Sequence, residues 1–475
     1  MTYTPKVTPS KTTAALAIEF VIVGGGISGL ACAVALRRVG HRVTVLEKHS
    51  NINQAIGGCR LAPNLSKILF HWGLEQDVKR IGMNSKGIDF LVLETGEKLG
   101  YHTWDEEVIK ETRGEFIFSH HSDLRKLLYD TALDCGAKVR LGAAVTEVDP
   151  ENRQVTLSTG EIIRADVIVG ADGVNGVCRM LMVEEDEVPE HRNNLYSTVV
   201  PSHVILDDPA FDRQGSERTK MMFSWFGNGK SVLAYPVGGS EEFAIMVYCP
   251  VDGNEATWED KAPLAGLQKI LMDAEPRVQK IAKAAAAPAC VPVSRYPEPE
   301  DWVHDSGRLV LIGEAVHPLP PGCIQEAAMT VEDGAVLAKL FSHLRTEDQI
   351  ESFLYAFQDL RKPRCDGVLT KELGDVGFMT LPPGDYQEGR DASFRLKRDA
   401  GVGVLESLDK TEDELPQWAE IKDLFGYDAE DEADDWWVEW GLLRERARGT
   451  DVSQGFVQHA MVMVNDELEH TYQKQ

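Results

Sequence analysis

Short apolar runs along the chain alternate with segments whose apolar residues recur at helical spacing. Phe20–Val23 is a short apolar run and reads as a buried strand. Ala31–Val39 has helical composition, Gly40 ends it, and Val43–Leu46 is a second apolar run closed by Glu47. A further helical pattern runs to Trp72, with Gly73 as its cap. Residues 116–129 contain HHSDLRKLLY, a helix that Ser122 or Asp123 would cap. Val139–Leu141 and Val155–Leu157 read as strands, with a turn around Asp149-Pro150. Ala165–Val169 is another buried strand, and it leads into Gly170-Ala171-Asp172-Gly173 with Arg179 after it.

The texture changes from about residue 195. Strand-like runs such as Ser231–Tyr235 and Phe243–Tyr248 alternate with turns, and a helix is expected within 263–287. At Leu309–Ile312 a buried strand again ends on glycine and a carboxylate, Gly313-Glu314. A proline-rich loop, a helix over 330–344 and a helix over 347–362 follow. From about 380 the chain is acidic, yet its tryptophans argue for a packed helical appendage. The expected fold is α/β. A Rossmann-like domain occupies 18–194 and 291–379 and carries a sheet-rich insertion at 195–290. A helical C-terminal extension spans 380–475, and 1–17 reads as a flexible tail.

Composition adds limits. The chain has 475 residues and a net charge of −27, which argues against a general nucleic-acid or anionic-membrane binder. Its eight cysteines are scattered without a C-x-x-C pair, so a reducing setting is the simplest reading and no metal site is expected. The polar N-terminus has no signal-peptide core, and no apolar run could span a bilayer. A cytoplasmic protein is expected, with its oligomeric state open.

The chemistry begins at Gly24-x-Gly26-x-x-Gly29. Gly24 allows the turn off the strand, Gly26 lets backbone approach a pyrophosphate, and Gly29 lets the helix pack on the sheet. The helix N-terminus favours the pyrophosphate. Glu47 can accept hydrogen bonds from ribose hydroxyls. A glycine-rich turn before a core helix is the plainer alternative. Strand, helix, second strand and acidic residue all fall in register, which favours dinucleotide binding.

Three motifs stand in order: the glycine triplet; Asp172-Gly173 with Arg179; and Gly313-Glu314-Ala-Val-His317-Pro318 with Pro321 and Glu332-Asp333. Together with Pro63-Asn64 and Tyr235-Pro236, they resemble the class A flavoprotein monooxygenases, which include salicylate and 4-hydroxybenzoate hydroxylases. The resemblance covers roughly residues 19–370. It implies FAD held by Gly24, Gly26, Gly29, Glu47, Arg60, His121, Asp172, Gly313, Glu314 and Ala327, with NADPH or NADH as a transient co-substrate. It implies insertion of one oxygen atom from O₂ into a small aromatic substrate, a phenol or phenolic acid, with decarboxylation if oxygen enters at the carboxyl-bearing carbon. Tyr235 and Pro321 are the candidate substrate-side residues. A flavin dehydrogenase or epoxidase, and a non-catalytic FAD-binding regulator, remain the alternatives.

The chain departs from the family at Glu314 (usually Asp), His121 (usually Arg) and Glu326 (usually Gly). Glu326 is expected to turn outward into solvent, since a buried unpaired carboxylate is costly; the sharper alternative is that it points into the site and meets substrate or flavin. Ser231 shares a strand face with Tyr235, at a place where some salicylate-type relatives carry a histidine base. His317 reads as a structural histidine that packs the loop. Arg361 and Arg364 read as helix-end cations and ion-pair partners. His120-His121 cannot converge on a metal from adjacent positions.

Overall fold

The computed structural model describes residues 7, 8, 10, 12–52, 57–183, 189–207, 220–258, 260–408 and 416–443. Five parallel strands form the nucleotide-binding sheet, in the order Leu309–Leu311, Val167–Gly170, Glu19–Val23, Arg42–Glu47 and Lys138–Leu141. The three central strands are almost wholly buried. Parallel strands covered by helices on both faces need continuous apolar runs, which is why they stand out in the sequence. The helix Ile27–Arg38 follows the first strand and packs against the helix Glu326–Phe341. A Cβ on Gly334 would lie 2.8 Å from the Cys32 nitrogen, so only glycine permits this close crossing.

The second layer is a seven-stranded sheet in the order Ala289–Arg295, Glu190–Pro201, Glu242–Pro250, Ser231–Val237, Met221–Phe226, Gly87–Val92 and Lys98–Thr103. It differs from the expected insertion in three ways. It begins at Glu190 rather than 195, its last strand runs to Arg295 rather than ending by 290, and it takes two strands from 87–103, within the stretch assigned to the nucleotide-binding part. Met221–Phe226 pairs in parallel with Gly87–Val92, a partnership more than a hundred residues apart in the chain. Alternation divides the sheet's side chains. Val232, Ala234, Ile245 and Val247 face a core built with Leu267, Leu271, Val278 and Ile281. Leu233, Tyr235, Met246 and Tyr248 face the other way, against Ala62, Phe116, Phe118 and Val376.

Several local expectations shift. The helix over 116–129 is His121–Asp134, and neither Ser122 nor Asp123 caps it. The helix within 263–287 is two, Leu264–Ile270 and Pro276–Ala284. The helix over 347–362 continues as Ile350–Met379, with Pro363 inside it. Parts of the N-terminal tail are tied down: Thr8 N donates to Trp72 O, Ala14 N to Val39 O and Leu16 N to Leu344 O.

The chain divides into two compact units, 1–430 and 431–475. In the first unit, the helix Asp385–Asp399 borders the seven-stranded sheet. Arg395 pairs with Glu97 there, and Phe394 packs on Phe90. In the second unit the described residues, 431–443, are helical. Pro416–Gly426, in the first unit, is helical as well, and residues 409–415 and 444–475 of the expected extension lie outside the described residues.

Candidate active site

The Gly24 turn is enforced sterically. Its φ is 109°, and a Cβ there would lie 2.2 Å from Ala171 O. A Cβ on Gly29 would lie 2.0 Å from Gly24 O, whereas one on Gly26 would meet nothing within 4 Å. Gly24 and Gly29 therefore hold the turn together, and Gly26 borders open space at the helix N-terminus.

Glu47 ends its strand beneath this turn, 4% exposed. It accepts from Gly25 N at 2.9 Å, from His49 N at 2.9 Å and from Arg125 Nη2 at 3.0 Å. Arg125 also donates to Gly25 O and Ile52 O, locking helix, turn and strand end together. Sequence reasoning missed Arg125. The HHSDLRK run contains it, one helical turn beyond His121. His121 stands at the helix start with its Nδ1 buried and unpartnered. Burial, with Arg125 nearby, pushes its pKa down to about 4, so it is neutral near pH 7.

Asp172 follows the strand Val167–Gly170. Its Oδ2 accepts from Cys178 N at 2.8 Å, and its Oδ1 is buried without a partner. Burial raises its pKa against the pull of the Cys178 amide. Glu314 lies at the end of the neighbouring strand, in the short turn Gly313–Ala315. Its carboxylate makes no hydrogen bond or ion pair among the described residues. Burial raises its pKa, with His317 opposing.

The loop 318–325 runs between the nucleotide-binding sheet and the seven-stranded sheet, and each side pins it. Arg60 donates to Gly322 O, and Tyr248 OH donates to Pro321 O at 2.9 Å. Glu372 accepts from Gln325 N at 2.9 Å. Glu326 does not turn outward as expected. It opens the helix Glu326–Phe341, folds back and accepts from Gly322 N at 2.9 Å. That amide offsets part of the burial cost that outward turning would have avoided. Burial pushes the Glu326 carboxyl up to about 8; Glu314 adds to the rise, and Gly322 N and Arg60 oppose it.

Tyr235 has no accessible surface. Its ring stacks on Phe118 at 5.0 Å and lies 5.9 Å from the Arg60 guanidinium, while its hydroxyl meets Met246 Sδ at 3.7 Å. Burial raises its pKa. In this arrangement Tyr235 packs as a core residue behind Arg60. Pro321 keeps partial exposure on the loop, and Ala327 is buried at the helix start.

A buried charged cluster anchors the loop from below. Asp333 accepts from Gly313 N at 2.8 Å, contacts His317 Nε2 at 2.6 Å and pairs with Arg361 Nε at 2.8 Å. Glu332 pairs with Arg361 Nη1 at 2.8 Å and accepts from Asn64 at 2.7 Å. Arg361 is thus a fully buried mid-helix cation, not a helix-end one. His317, Asp333 and Cys365 converge with their ligand atoms within 4.8 Å of one another. Asp333 is already committed to three protein partners, which makes this an anchor and fits the structural reading of His317.

These residues fit an extended dinucleotide such as FAD. Ser28 Oγ, His121 Nδ1 and Asp172 Oδ1 are buried without partners around the glycine turn. Gly24, Gly26, Glu314, Pro321 and Glu326 each stay partly open between buried neighbours. No described helix is long and apolar enough to cross a membrane.

Comparison with known proteins agrees with this arrangement. Residues 17–372 match the family described as FAD binding domain. The FAD-dependent monooxygenase OpS4 of Beauveria bassiana is 27% identical, over 87% of this chain and 95% of that protein. The 6-hydroxynicotinate 3-monooxygenase of Bordetella bronchiseptica is 26% identical, over 78% of this chain and 95% of that protein. Among solved structures, CtdE in complex with FAD and a substrate superposes with a TM-score of 0.73 at 18% identity, covering 90% of this chain and 100% of that one. With a family match that spans most of its length and a glycine turn, acidic strand ends and pinned loop suited to FAD, the chain belongs to the class A flavoprotein monooxygenases and is an FAD-dependent enzyme of that family.

Proposed function

We propose that the enzyme uses NADPH or NADH to insert one oxygen atom from O₂ into a small phenolic substrate. The observation that carries this reading is the loop 318–325, pinned between the nucleotide-binding half and the seven-stranded sheet by Arg60, Tyr248, Glu326 and Glu372. Such a junction can present an aromatic ring to a cofactor lying along the strand ends. The 6-hydroxynicotinate 3-monooxygenase, named for action on a hydroxylated aromatic ring, supports the same substrate class.

Bound FAD supplies the oxygen-activating chemistry, and the protein supplies position and a dry site. The Gly26 backbone and the helix start at Ile27 would hold the pyrophosphate, with Asp172 beside it and beside the incoming NAD(P)H. Glu47, already oriented by Arg125, would hold the adenosine ribose. Glu314, on a longer arm than the family's aspartate, would reach the ribityl chain. Arg60, braced by Tyr235, would fix the height of the Pro321–Gly322 segment against the substrate. Loss of CO₂ would follow where oxygen enters a carboxyl-bearing carbon.

The test is NAD(P)H oxidation by FAD-loaded protein over a panel of simple and prenylated phenols and phenolic acids. One phenol should accelerate oxidation and yield a product labelled from ¹⁸O₂. Acceleration without oxygen insertion would make the enzyme a dehydrogenase. No acceleration across the panel would refute the phenol assignment.

A further inference from the structure

The Ser231 position, where a base stands in some salicylate-type relatives, offers none here. Ser231 is fully buried with an unpartnered Oγ, and Tyr235 on the same face is buried against sulfur. A phenol is activated toward oxygen insertion by losing its hydroxyl proton, so some group near the ring must accept it. The groups around the pinned loop narrow the choice. Glu372 is 4% exposed and spends its oxygens on the amides of Ile324 and Gln325. Arg60 can only donate, and it is bonded to Gly322 O. Glu314 is the residue proposed above for the ribityl chain. Glu326 remains. One of its oxygens is fixed by Gly322 N, and the other has no partner among the described residues.

We propose that Glu326 is the substrate's proton acceptor, with its free Oε1 taking the hydroxyl proton of a bound phenol. The inference rests on the phenol reading above. The O–H bond breaks and its electron pair stays on the substrate oxygen. The carboxylate becomes a carboxylic acid and returns the proton to solvent when product leaves. The geometry suits the task, because the Gly322 amide and the helix start orient the group without neutralising it.

Its electrical surroundings come from every element packed around it. Glu314 faces it from the turn 313–315, Glu372 from the helix Ile350–Met379, and Arg60 and Cys59 from the strand Gly58–Leu61. Tyr235 and Tyr248 face it from the seven-stranded sheet, and Cys323 from the loop. The carboxylates and burial outweigh Arg60 and keep the proton affinity high, with a pKa of about 8. That value lies far closer to a phenol than an ordinary carboxylate does, which eases the transfer.

The test uses FAD-loaded full-length protein and 4-nitrophenol, whose phenolate is coloured. Binding by the parent should be tightest where the carboxyl and phenol share one proton. Above about pH 8, where both are anionic, it should weaken by roughly tenfold per pH unit. Glu326→Gln should abolish that fall, and Glu326→Asp should restore part of it. With the substrate found in the panel, Glu326→Gln should lower kcat/KM by roughly 10²–10⁴-fold and remove its rising limb near pH 8.

Glu326→Gly, which installs the family's usual residue, serves as a second variant. The visible spectrum of each variant reports its flavin. The same pH dependence in the parent, Glu326→Gln and Glu326→Gly would overturn the assignment while leaving the phenol reading intact. Loss of flavin from both variants would also overturn it, by making Glu326 a cofactor ligand. Failure of the parent to bind 4-nitrophenol, salicylate and 4-hydroxybenzoate would overturn the phenol reading itself.

Discussion

Arg361→Met would remove the only cation that bridges Glu332 and Asp333 among the described residues. All three side chains have no solvent exposure, and the two ion pairs are each 2.8 Å long. The variant would leave both carboxylates in a low-dielectric interior, with His317 facing Asp333 and Arg364 lying 3.5 Å from Glu332. Breaking a buried pair costs about 3–5 kcal/mol, and two charge-assisted bonds at roughly 1.5–3 kcal/mol each give the same scale. The sign of the pH dependence follows from Asp333. Burial raises its pKa, but His317 and Arg361 hold it below the ordinary carboxylate value. Stability from that depression is present above the ordinary value and is lost as pH falls through the lowered one. Without Arg361 only His317 and the Gly313 amide oppose the burial of Asp333; burial then lifts its pKa past the ordinary carboxylate value, and the variant relieves its buried charge by protonating Asp333 as pH falls. Denaturant titrations followed by far-UV circular dichroism, at about pH 8 and about pH 5, should show a deficit of about 3–5 kcal/mol that shrinks at the lower pH. A deficit under about 1 kcal/mol at the higher pH, or one that grows on acidification, would refute the reasoning.

Gly26→Ala should leave apoprotein stability within about 0.5 kcal/mol of the parent and weaken FAD by about tenfold or more, as equilibrium dialysis would show. Gly29→Ala should instead lower the melting temperature, because its methyl group has no room; equal effects from the two variants would contradict the division of roles. Glu47→Ala should weaken FAD binding and also destabilise the apoprotein by about 3–5 kcal/mol, since Arg125 loses its buried partner. An unchanged apoprotein melting curve would dissolve the Glu47–Arg125 pairing. Tyr235→Phe keeps the ring behind Arg60 and should preserve substrate-stimulated turnover, whereas Tyr235→Leu should slow it; equal turnover in both would deny Tyr235 its bracing role.

The glycine turn, its strand and helix, and Glu47 were legible in the sequence because the unit is local. About thirty residues suffice, and each glycine answers to a steric demand set by its near neighbours. The parallel strands around Val167–Gly170 and Leu309–Leu311 were legible for a related reason: burial on both faces demands unbroken apolar runs. Asp172, Gly313 and Glu314 stood out because they end such runs. The short strands Gly87–Val92 and Lys98–Thr103 carry no comparable local mark, and only their pairing into the seven-stranded sheet defines them.

Tertiary structure decided the rest through contacts between distant residues. Arg125 meets Glu47 across 78 positions, and Arg60 reaches Gly322 across 262. Nothing near Arg361 in the chain announces a buried cation; its burial follows from a long helix crossing the one that carries Glu332 and Asp333. The Tyr235 strand was legible, but its hydroxyl's burial against Met246 depends on how the sheet meets the nucleotide-binding half. Glu326 shows the division most clearly. Its charge and its place before a helix are written in the sequence. Its inward turn is not, because the Gly322 amide that makes the turn affordable exists only once Arg60, Tyr248 and Glu372 have pinned the loop.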